Sequence, residues 1–236
     1  MKYFTFNGIS SAMLGVYLEK EPEIVVGNIR AETQTVIGSA KVLHYTEGDD
    51  AMDPIVISLD CNVANATDAT INQICAWLRG GGDLVTDYDP NHCYKNAFVS
   101  NQIPLARIFR AARGYRFTVE FECEAHRYRL PEAAVITMTT AGLISNPGTA
   151  PAEPLIKLTG SGDVDLMIGD STLEIDGITD YVMIDCAAQI VYRESVNLGT
   201  SVTRHGDWPT IPADGCMINW SGTVTELEIT PRWRDY

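Results

Sequence analysis

The residues best suited to catalysis are an adjacent histidine and cysteine, His92 and Cys93, and a series of acidic residues in the second half of the chain. Adjacent residues on a strand face opposite ways, and no G-x-S-x-G or other catalytic motif accompanies the His–Cys pair. The acidic residues lack the spacing of a Ca²⁺-binding loop, and Asp163 and Asp165 alternate with apolar residues as on the outer face of a strand. A carboxylate pair for glycoside hydrolysis stays open as an alternative, but the sequence predicts no enzyme.

The sequence predicts no metal site and no cofactor. The six cysteines form no C-x-x-C pair, and none of the four histidines lies at zinc-ligand spacing from a cysteine pair. No glycine-rich run followed by Lys-Ser/Thr opens a helix, so a phosphate-binding loop is unsupported. The opening MKYFTFNGIS lacks the apolar segment of a signal peptide, so we expect cytoplasmic synthesis and free, buried thiols. The cysteines are Cys61, Cys75, Cys93, Cys123, Cys186 and Cys216.

A cluster of arginines is the most unusual feature of the sequence. On a helix their spacing of three would place all of them on one face, but Gly114 and the strand after it favour a hairpin in which the side chains diverge. Ion pairing with acidic neighbours on an exposed strand is the simplest role. Contact with nucleic acid and contact with an acidic surface of an identical copy stay open as alternatives. The cluster consists of Arg107, Arg110, Arg113 and Arg116.

Three tryptophans near the end of the chain, Trp208, Trp220 and Trp233, are open to two interpretations. They could form a platform on which sugar rings stack, with Trp208 as the stacking residue. Aromatic residues of this kind more often fill a β-sandwich core or line an interface. The sequence does not separate the two.

Composition excludes several classes of function. Among 236 residues, 45% are hydrophobic and 20% are charged, which is typical of a globular protein. The formal net charge of −14 disfavours both a nucleic-acid binder that neutralises phosphates and a protein that binds an anionic membrane surface. No run approaches the roughly 20 apolar residues of a membrane-spanning helix.

The elements that would position these residues are mainly short strands with one helix. In Tyr115–Cys123, alternate residues from Phe117 to Cys123 are apolar and the residues between them polar, so one face meets a core and the other meets water or a neighbour. Asp68–Arg79 predicts a helix, with Asp68 as its cap, Ile71, Ile74, Cys75 and Leu78 on one stripe, and Gly80–Gly82 as its stop. The other predicted strands include Ile55–Cys61, Leu155–Thr159, Val164–Ile168, Tyr181–Asp185 and Thr223–Ile229.

A domain boundary is predicted near Arg129–Glu132, because Pro131 interrupts a sheet ladder and the chain becomes more acidic after Met138. The predicted domains are 1–130, which contains the helix, and 131–236, an all-β sandwich. Turns are expected in the second domain at Gly160–Gly162, Gly169–Asp170, Asp176–Gly177 and Asp214–Gly215.

Short motifs along most of the chain resemble one family, the distal tail (Dit) proteins of siphophages and their prophages. The opening Phe4–Ser11 with Leu14-Gly15 resembles the family's first strand and N-G-x-x-S turn, and Ile103–Arg107 leading to Tyr115–Cys123 resembles its central hairpin and closing strand. The sequence departs from the family at Ala125-His126, where Pro-Tyr is common. Further resembling segments, in the family's order, are Ala141–Gly148, Pro154–Gly162, Ile184–Cys186, Trp208–Gly215, Ile218–Gly222 and Ile229–Arg234.

The resemblance implies a mainly β protein with an N-terminal β-sandwich or split barrel that carries one helix, and a C-terminal galectin-like β-sandwich. It also implies a virion protein of the tail tip, without enzymatic activity or cofactor, whose N-terminal domain assembles into a hexameric ring. The implied partners are further copies of the chain, the tail tube protein, the tape-measure protein and a tail-associated fibre or lysin protein. Genome DNA would pass through the lumen without specific binding, which an acidic lumen would favour because it repels DNA.

Two uses follow for the candidate residues. The arginines Arg107, Arg110, Arg113 and Arg116 become candidates for a contact between subunits or rings. The alternative function is a carbohydrate-binding module that contacts host cell-wall saccharide through Trp208, which would need polar groups converging beside that ring.

Overall fold

The computed structural model describes residues 1–46, 50–109 and 114–236, and it is mainly β, as the sequence predicts. The chain divides into two compact units, Met1–Tyr128 with Tyr236, and Arg129–Asp235. The predicted domains 1–130 and 131–236, with their ring-forming and galectin-like roles, stay predictions. Arg110 and Arg113 of the arginine cluster lie outside the described residues.

The first unit is a curled antiparallel sheet with one helix against it. Its elements are β1 (Phe4–Phe6), β2 (Ile9–Ser10), β3 (Val16–Leu18), β4 (Ala31–Thr35), β5 (Val42–Thr46), β6 (Ile55–Val63), α1 (Asp68–Trp77), β7 (Gly81–Thr86), β8 (Asp89–Val99), β9 (Ala106–Phe109), β10 (Gly114–Cys123) and β11 (Arg127–Arg129). The strands of the main sheet run in the order β2-β1-β7-β8-β10-β6-β3, and a bridge between Lys2 and Leu18 brings the start of the chain to the far edge. A 3₁₀ turn covers Ser11–Leu14.

An aromatic cluster fills the centre of this unit. The rings of Phe4 and Trp77 stack at 5.2 Å, and those of Phe6 and Phe121 lie 4.8 Å apart. The Trp77 indole Nε1 donates a hydrogen bond of 3.1 Å to the Phe6 carbonyl oxygen, so this buried ring keeps a polar partner. The alternation predicted for Tyr115–Cys123 is confirmed, because every second residue from Phe117 to Cys123 is buried.

The predicted helix is present but is shorter and capped differently. It runs from Asp68 to Trp77, and the Thr67 hydroxyl accepts the Thr70 amide at 3.1 Å, so Thr67 and not Asp68 is the cap. The prediction that Cys75 belongs to the buried stripe is wrong. Cys75 is exposed and Trp77 is buried, because the core-facing stripe passes through Ile74 to Trp77 and Leu78.

Two long strands build the second unit. Its elements are β12 (Ile136–Met138), β13 (Gly142–Ile144), β14 (Leu155–Ile168), β15 (Ser171–Ile178), β16 (Tyr181–Asp185), β17 (Ile190–Arg193), β18 (Val196–Asn197), a 3₁₀ turn (Gly199–Ser201), β19 (Val202–His205), β20 (Cys216–Thr230) and β21 (Arg234–Asp235). The two long strands are β14 and β20. The first half of β14 pairs with β16 and with the second half of β20. The second half of β14 pairs with β15 and with the first half of β20. The core between these strands includes Ile156, Leu158, Leu166 and Leu227.

The turn predicted at Gly160–Gly162 is wrong, because the two strands predicted around it are the single bent strand β14. A Cβ on Gly160 would lie 2.3 Å from the Thr223 carbonyl oxygen. Glycine is therefore required here because the backbones of β14 and β20 approach each other closely. Asp176-Gly177 likewise lies inside β15. The turn at Gly169–Asp170 joins β14 to β15 as predicted.

None of the helices that the structure describes is both long enough and apolar enough to cross a membrane.

Candidate assembly surfaces

The most exposed element of the first unit is the arm, which we define as the hairpin Ala31–Thr46. Its strands β4 and β5 form a sheet of their own and, in the described part of the chain, pair only with each other. Every residue of the arm is exposed, so the arm has no core of its own. An isolated two-stranded hairpin is at best marginally stable in water, and both of its edges present unpaired backbone groups. The arm therefore exposes both its side chains and its open strand edges in the described structure.

Several apolar side chains are exposed on the arm. Ile37 is fully exposed at the turn, and Val36, Val42, Leu43 and Tyr45 are all exposed as well. The register places Leu43 opposite Gln34 and Tyr45 opposite Glu32, so Leu43 and Tyr45 share one face of the hairpin. Val42, opposite Thr35, lies on the other face, so the arm exposes apolar side chains on both of its faces.

Hydrogen bonds join the two segments at the base of the arm, Asn28–Arg30 and Ala51–Asp53. The Arg30 amide donates to the Ala51 carbonyl at 2.8 Å, and the Arg30 guanidinium contacts Asp53 at 3.1 Å and the Met52 carbonyl at 3.2 Å. The Asp53 amide returns a bond of 2.9 Å to the Asn28 carbonyl. The arm thus leaves the unit from a defined base.

The structure places the two described arginines of the cluster on one hairpin but not on one face. Strands β9 and β10 pair with Arg107 opposite Tyr115 and Arg116 opposite Ala106, so the two side chains diverge as the sequence predicts. The Arg116 Nε lies 2.6 Å from Glu19 Oε1, which also accepts a hydrogen bond of 2.8 Å from the side-chain Nδ2 of Asn62. Arg116 is therefore an ion-paired strand residue.

The same outer face of the sheet holds a second acidic residue with two partners. Thr118 Oγ1 donates to Asp60 Oδ1 at 2.6 Å, and Lys20 Nζ lies 3.0 Å from Asp60 Oδ2. The Thr118 hydrogen bond, followed by the one from Lys20, holds the pKa of Asp60 below its usual value. Two ion pairs, Arg116–Glu19 and Lys20–Asp60, thus lie on this face of the sheet.

A groove of about 640 Å³ lies beside the helix in the first unit. Ile74 and Leu78 form one wall, and Phe98, Ile103 and Leu105 contribute to the other. It is an apolar surface that sequence reasoning missed, because its walls come from segments far apart in the chain.

The candidate catalytic residues have structural partners. His92 Nδ1 lies 2.7 Å from Asp89 Oδ1, and the buried Cys93 thiol donates to the Tyr94 carbonyl at 3.7 Å. All six cysteines are free thiols, and all but Cys75 are buried. Burial raises the pKa of Cys123 and of Cys186 to about 12, so both are protonated at neutral pH. Among the described residues, no three or more His, Cys, Asp or Glu side chains cluster as they would around a metal ion.

The three tryptophans are half-buried and pack against the core of the second unit. The Arg204 guanidinium carbon lies 5.8 Å from the centroid of the Trp208 ring. Trp208 therefore has a cation beside its ring as well as a packing role, and its role in sugar stacking stays a prediction.

The second unit also has a groove of about 500 Å³, whose lining includes Tyr181, Met183 and Tyr192. Lys157 Nζ lies 5.8 Å from the Tyr181 ring centroid and 2.6 Å from Glu228 Oε2. The sequence pattern did not single out these tyrosines, since their proximity depends on which strands are neighbours.

Comparison with known proteins relates the whole chain to phage tail structures. No protein-family model and no curated protein matches it. The solved structure of SPP1 Dit, described as a paradigm of the hub adsorption apparatus in phages that infect Gram-positive bacteria, aligns with a TM-score of 0.71 at 14% identity, over 97% of this chain and 98% of that one. The activated baseplate of phage p2, solved with Sr and with Ca, aligns with a TM-score of 0.51 at 8% identity, over 97% of both chains. The resemblance found in the sequence is thus confirmed at the level of the fold.

Proposed function

We propose that this chain, which has the fold of a phage distal tail protein, is a structural hub of a phage tail tip. In this proposal six copies form a ring that connects the tail tube to a tail-tip fibre or lysin protein. The observation that carries the proposal is the alignment with the SPP1 hub protein over 97% of the chain at a TM-score of 0.71. The chain would act as part of a virion, made in the cytoplasm of the host bacterium.

The arm supports ring assembly through the first unit. A ring requires a head-to-tail interface in which one surface of a copy meets a different surface of the next. The arm supplies such a surface, because it combines two open strand edges with the exposed side chains of Ile37, Leu43 and Tyr45. Burying it against a neighbour would satisfy the backbone groups and remove apolar area from water.

The remaining partners follow from the hub role and from charge. The tape-measure and tail tube proteins would meet the ring on one side, and the fibre or lysin protein on the other. The net charge of −14 favours passage of genome DNA through a lumen without binding. Arg107, Arg110, Arg113 and Arg116 stay candidates for a contact between subunits or rings. The proposal contains no catalytic step, no cofactor and no membrane contact.

The test is the solution mass of the purified protein, measured by light scattering across a concentration series and checked by negative-stain microscopy. We expect ring-shaped particles of six copies, alone or after addition of the tail tube and fibre proteins. Leu43→Asp with Tyr45→Asp should shift the mass to that of a monomer. The matched control is Leu143→Asp in the second unit, where the leucine is also exposed, and it should leave assembly unchanged.

Two results would contradict the proposal. One is a monomer at every concentration, even beside both partner proteins. The other, which contradicts only the role of the arm, is a ring that forms as well in the Leu43→Asp, Tyr45→Asp variant as in the wild type.

A further inference from the structure

We propose that the groove beside α1 receives the arm of a neighbouring copy of this chain. The face of the arm that carries Leu43 and Tyr45 is the one that enters the groove. This inference rests on the ring proposed above, and it adds the surface that the arm meets on the next copy.

The groove presents apolar side chains that the described chain leaves partly uncovered. Its helix wall, Ile74 and Leu78, is buried, whereas Phe98 on the other side is 44% exposed. Ile103 and Leu105 are half-buried beside it. Covering these side chains would remove apolar area from water, which favours a partner with apolar groups of its own.

The arm matches the groove in the spacing of its large side chains. Leu43 and Tyr45 are two residues apart on β5, so they project from one face about 7 Å apart. Ile74 and Leu78, at the end of α1, are four residues apart, which is a rise of about 6 Å along a helix. A strand laid along this end of α1 therefore places one large apolar side chain beside each of them.

A pair of opposite charges selects the same face of the arm. Glu32 lies opposite Tyr45 and so shares its face, and Arg79 lines the groove next to Leu78. Both side chains are exposed, and neither has an ion pair with another described residue. The other face of the arm, which holds Val42, carries no acidic residue that could meet Arg79.

The arm and the groove are different surfaces of the first unit, as a head-to-tail contact requires. A copy that inserts its arm into the next one keeps its own groove free for the arm of the copy behind it. Every copy can thus make the same contact twice, once with each surface, and a ring has no unused arm or groove.

Cys75 makes the contact measurable, because it lines the groove and is the exposed one among six otherwise buried cysteines. In the full-length protein we expect a maleimide to modify Cys75 at least about tenfold more slowly in the ring than in dilute monomer, since a covered thiol reacts only when the contact opens. Leu43→Asp with Tyr45→Asp should react at the monomer rate at every concentration. Leu143→Asp, the matched control, should be protected like wild type.

Cross-linking identifies what occupies the groove. Tyr45→Cys adds a thiol to the face of the arm that should meet Cys75, and oxidation with diamide should join the two in a disulfide between copies. A non-reducing gel should then show a ladder of up to six chains. His44→Cys, on the opposite face of the arm, is the matched control and should give much less product, and Cys75→Ser should abolish the ladder of Tyr45→Cys.

Exchanging the two charges tests the polar part of the contact. Glu32→Arg should weaken each contact by up to about fivefold, because it brings two positive charges together. Adding Arg79→Glu to that variant should restore assembly, since opposite charges face each other again. The concentration at half-maximal ring formation, followed by light scattering, measures both effects.

The outcomes separate this inference from the ring on which it rests. A ring in which Cys75 reacts at the monomer rate, or in which Tyr45→Cys gives no disulfide between copies, would overturn the inference and leave the ring standing. A disulfide within a single chain would place the arm in the groove of its own copy and overturn it as well. Protection of Cys75 only after addition of the tail tube or fibre protein would assign the groove to that protein. Absence of any ring, even with both partners, would contradict the proposed function and the inference with it.

Discussion

The arm of the first unit and the long strands of the second are both antiparallel hairpin structure, but they are stabilised in different ways. In β14 and β20 alternate side chains such as Leu158 and Leu227 are fully buried, and both strands have neighbours on each side. In the arm every residue is exposed and each strand has one neighbour. Hydrogen-bonded strands are thus not sufficient for stability, because the apolar area removed from water supplies most of it. Within the described chain the arm lacks that contribution, and the ring proposed above would supply it from a neighbouring copy.

The largest expected contrast comes from the same substitution made in both places. Leu158→Ala in β14 should lower the free energy of unfolding by about 4 kcal/mol, because it removes a fully buried side chain and leaves a cavity. Leu43→Ala in the arm should change the monomer by no more than about 0.5 kcal/mol, since Leu43 is 43% exposed. Urea denaturation of dilute, monomeric protein measures both. Equal losses would show that the arm belongs to the cooperative core and would contradict the comparison.

The sequence contains enough information for the body of each unit but not for the arm. Alternation in Tyr115–Cys123 predicts which face is buried, because those side chains follow the two-residue period of a strand. The arm also contains β-branched residues, and its turn is at Ile37-Gly38. Nothing in such a segment reveals whether a core lies beside it, so exposure on both faces could not be predicted.

The sequence did not predict the bend in β14 or the groove lined by Tyr181 and Tyr192, and the reasons are related. Glycine at Gly160 is compatible with a turn or with close strand packing, and only the nearby Thr223 carbonyl, 63 residues away, decides between them. The pairing of Tyr192 with Met183 likewise depends on register between separate strands. Exposure of Cys75 beside buried Trp77 reflects where the helix meets the sheet. In each case the deciding contact is distant in sequence.

The next largest difference in unfolding free energy is expected between alanine substitutions at two glycines, one in each region. Gly222 in β20 has φ +88°, and a Cβ added there would lie 2.3 Å from the Asp163 carbonyl oxygen. Gly38 in the arm has a similar φ of +76°, but a Cβ added there would have no atom within 4 Å. Gly222→Ala should cost about 3 kcal/mol, since backbone strain and a steric clash add together. Gly38→Ala should cost about 1 kcal/mol or less from strain alone. Thermal unfolding compares them. Similar costs would mean that β20 tolerates separation from β14, and the tight packing at the bend would then be unimportant.

The smallest expected effect concerns two Arg–Asp pairs and depends on pH. In the second unit Arg232 donates to both carboxylate oxygens of Asp185, at 2.7 and 3.1 Å, and this contact holds the pKa of Asp185 below its usual value despite partial burial. A lowered pKa in the folded state means that the ionised carboxylate stabilises the fold above the unfolded pKa of about 4, and that the stabilisation is lost as the pH falls through the folded pKa.

Asp185→Asn should therefore lower the free energy of unfolding by about 2 kcal/mol near pH 7, and the difference from wild type should shrink as the solution is acidified below about pH 4. The matched control is Asp53→Asn at the base of the arm, where the pair with Arg30 is half exposed on both sides and should contribute under about 1 kcal/mol. Urea denaturation of both variants at a series of pH values measures these differences. If Asp53→Asn destabilises the monomer as much as Asp185→Asn, the arm is held by its own base more firmly than its exposure implies, and its stability needs no second molecule.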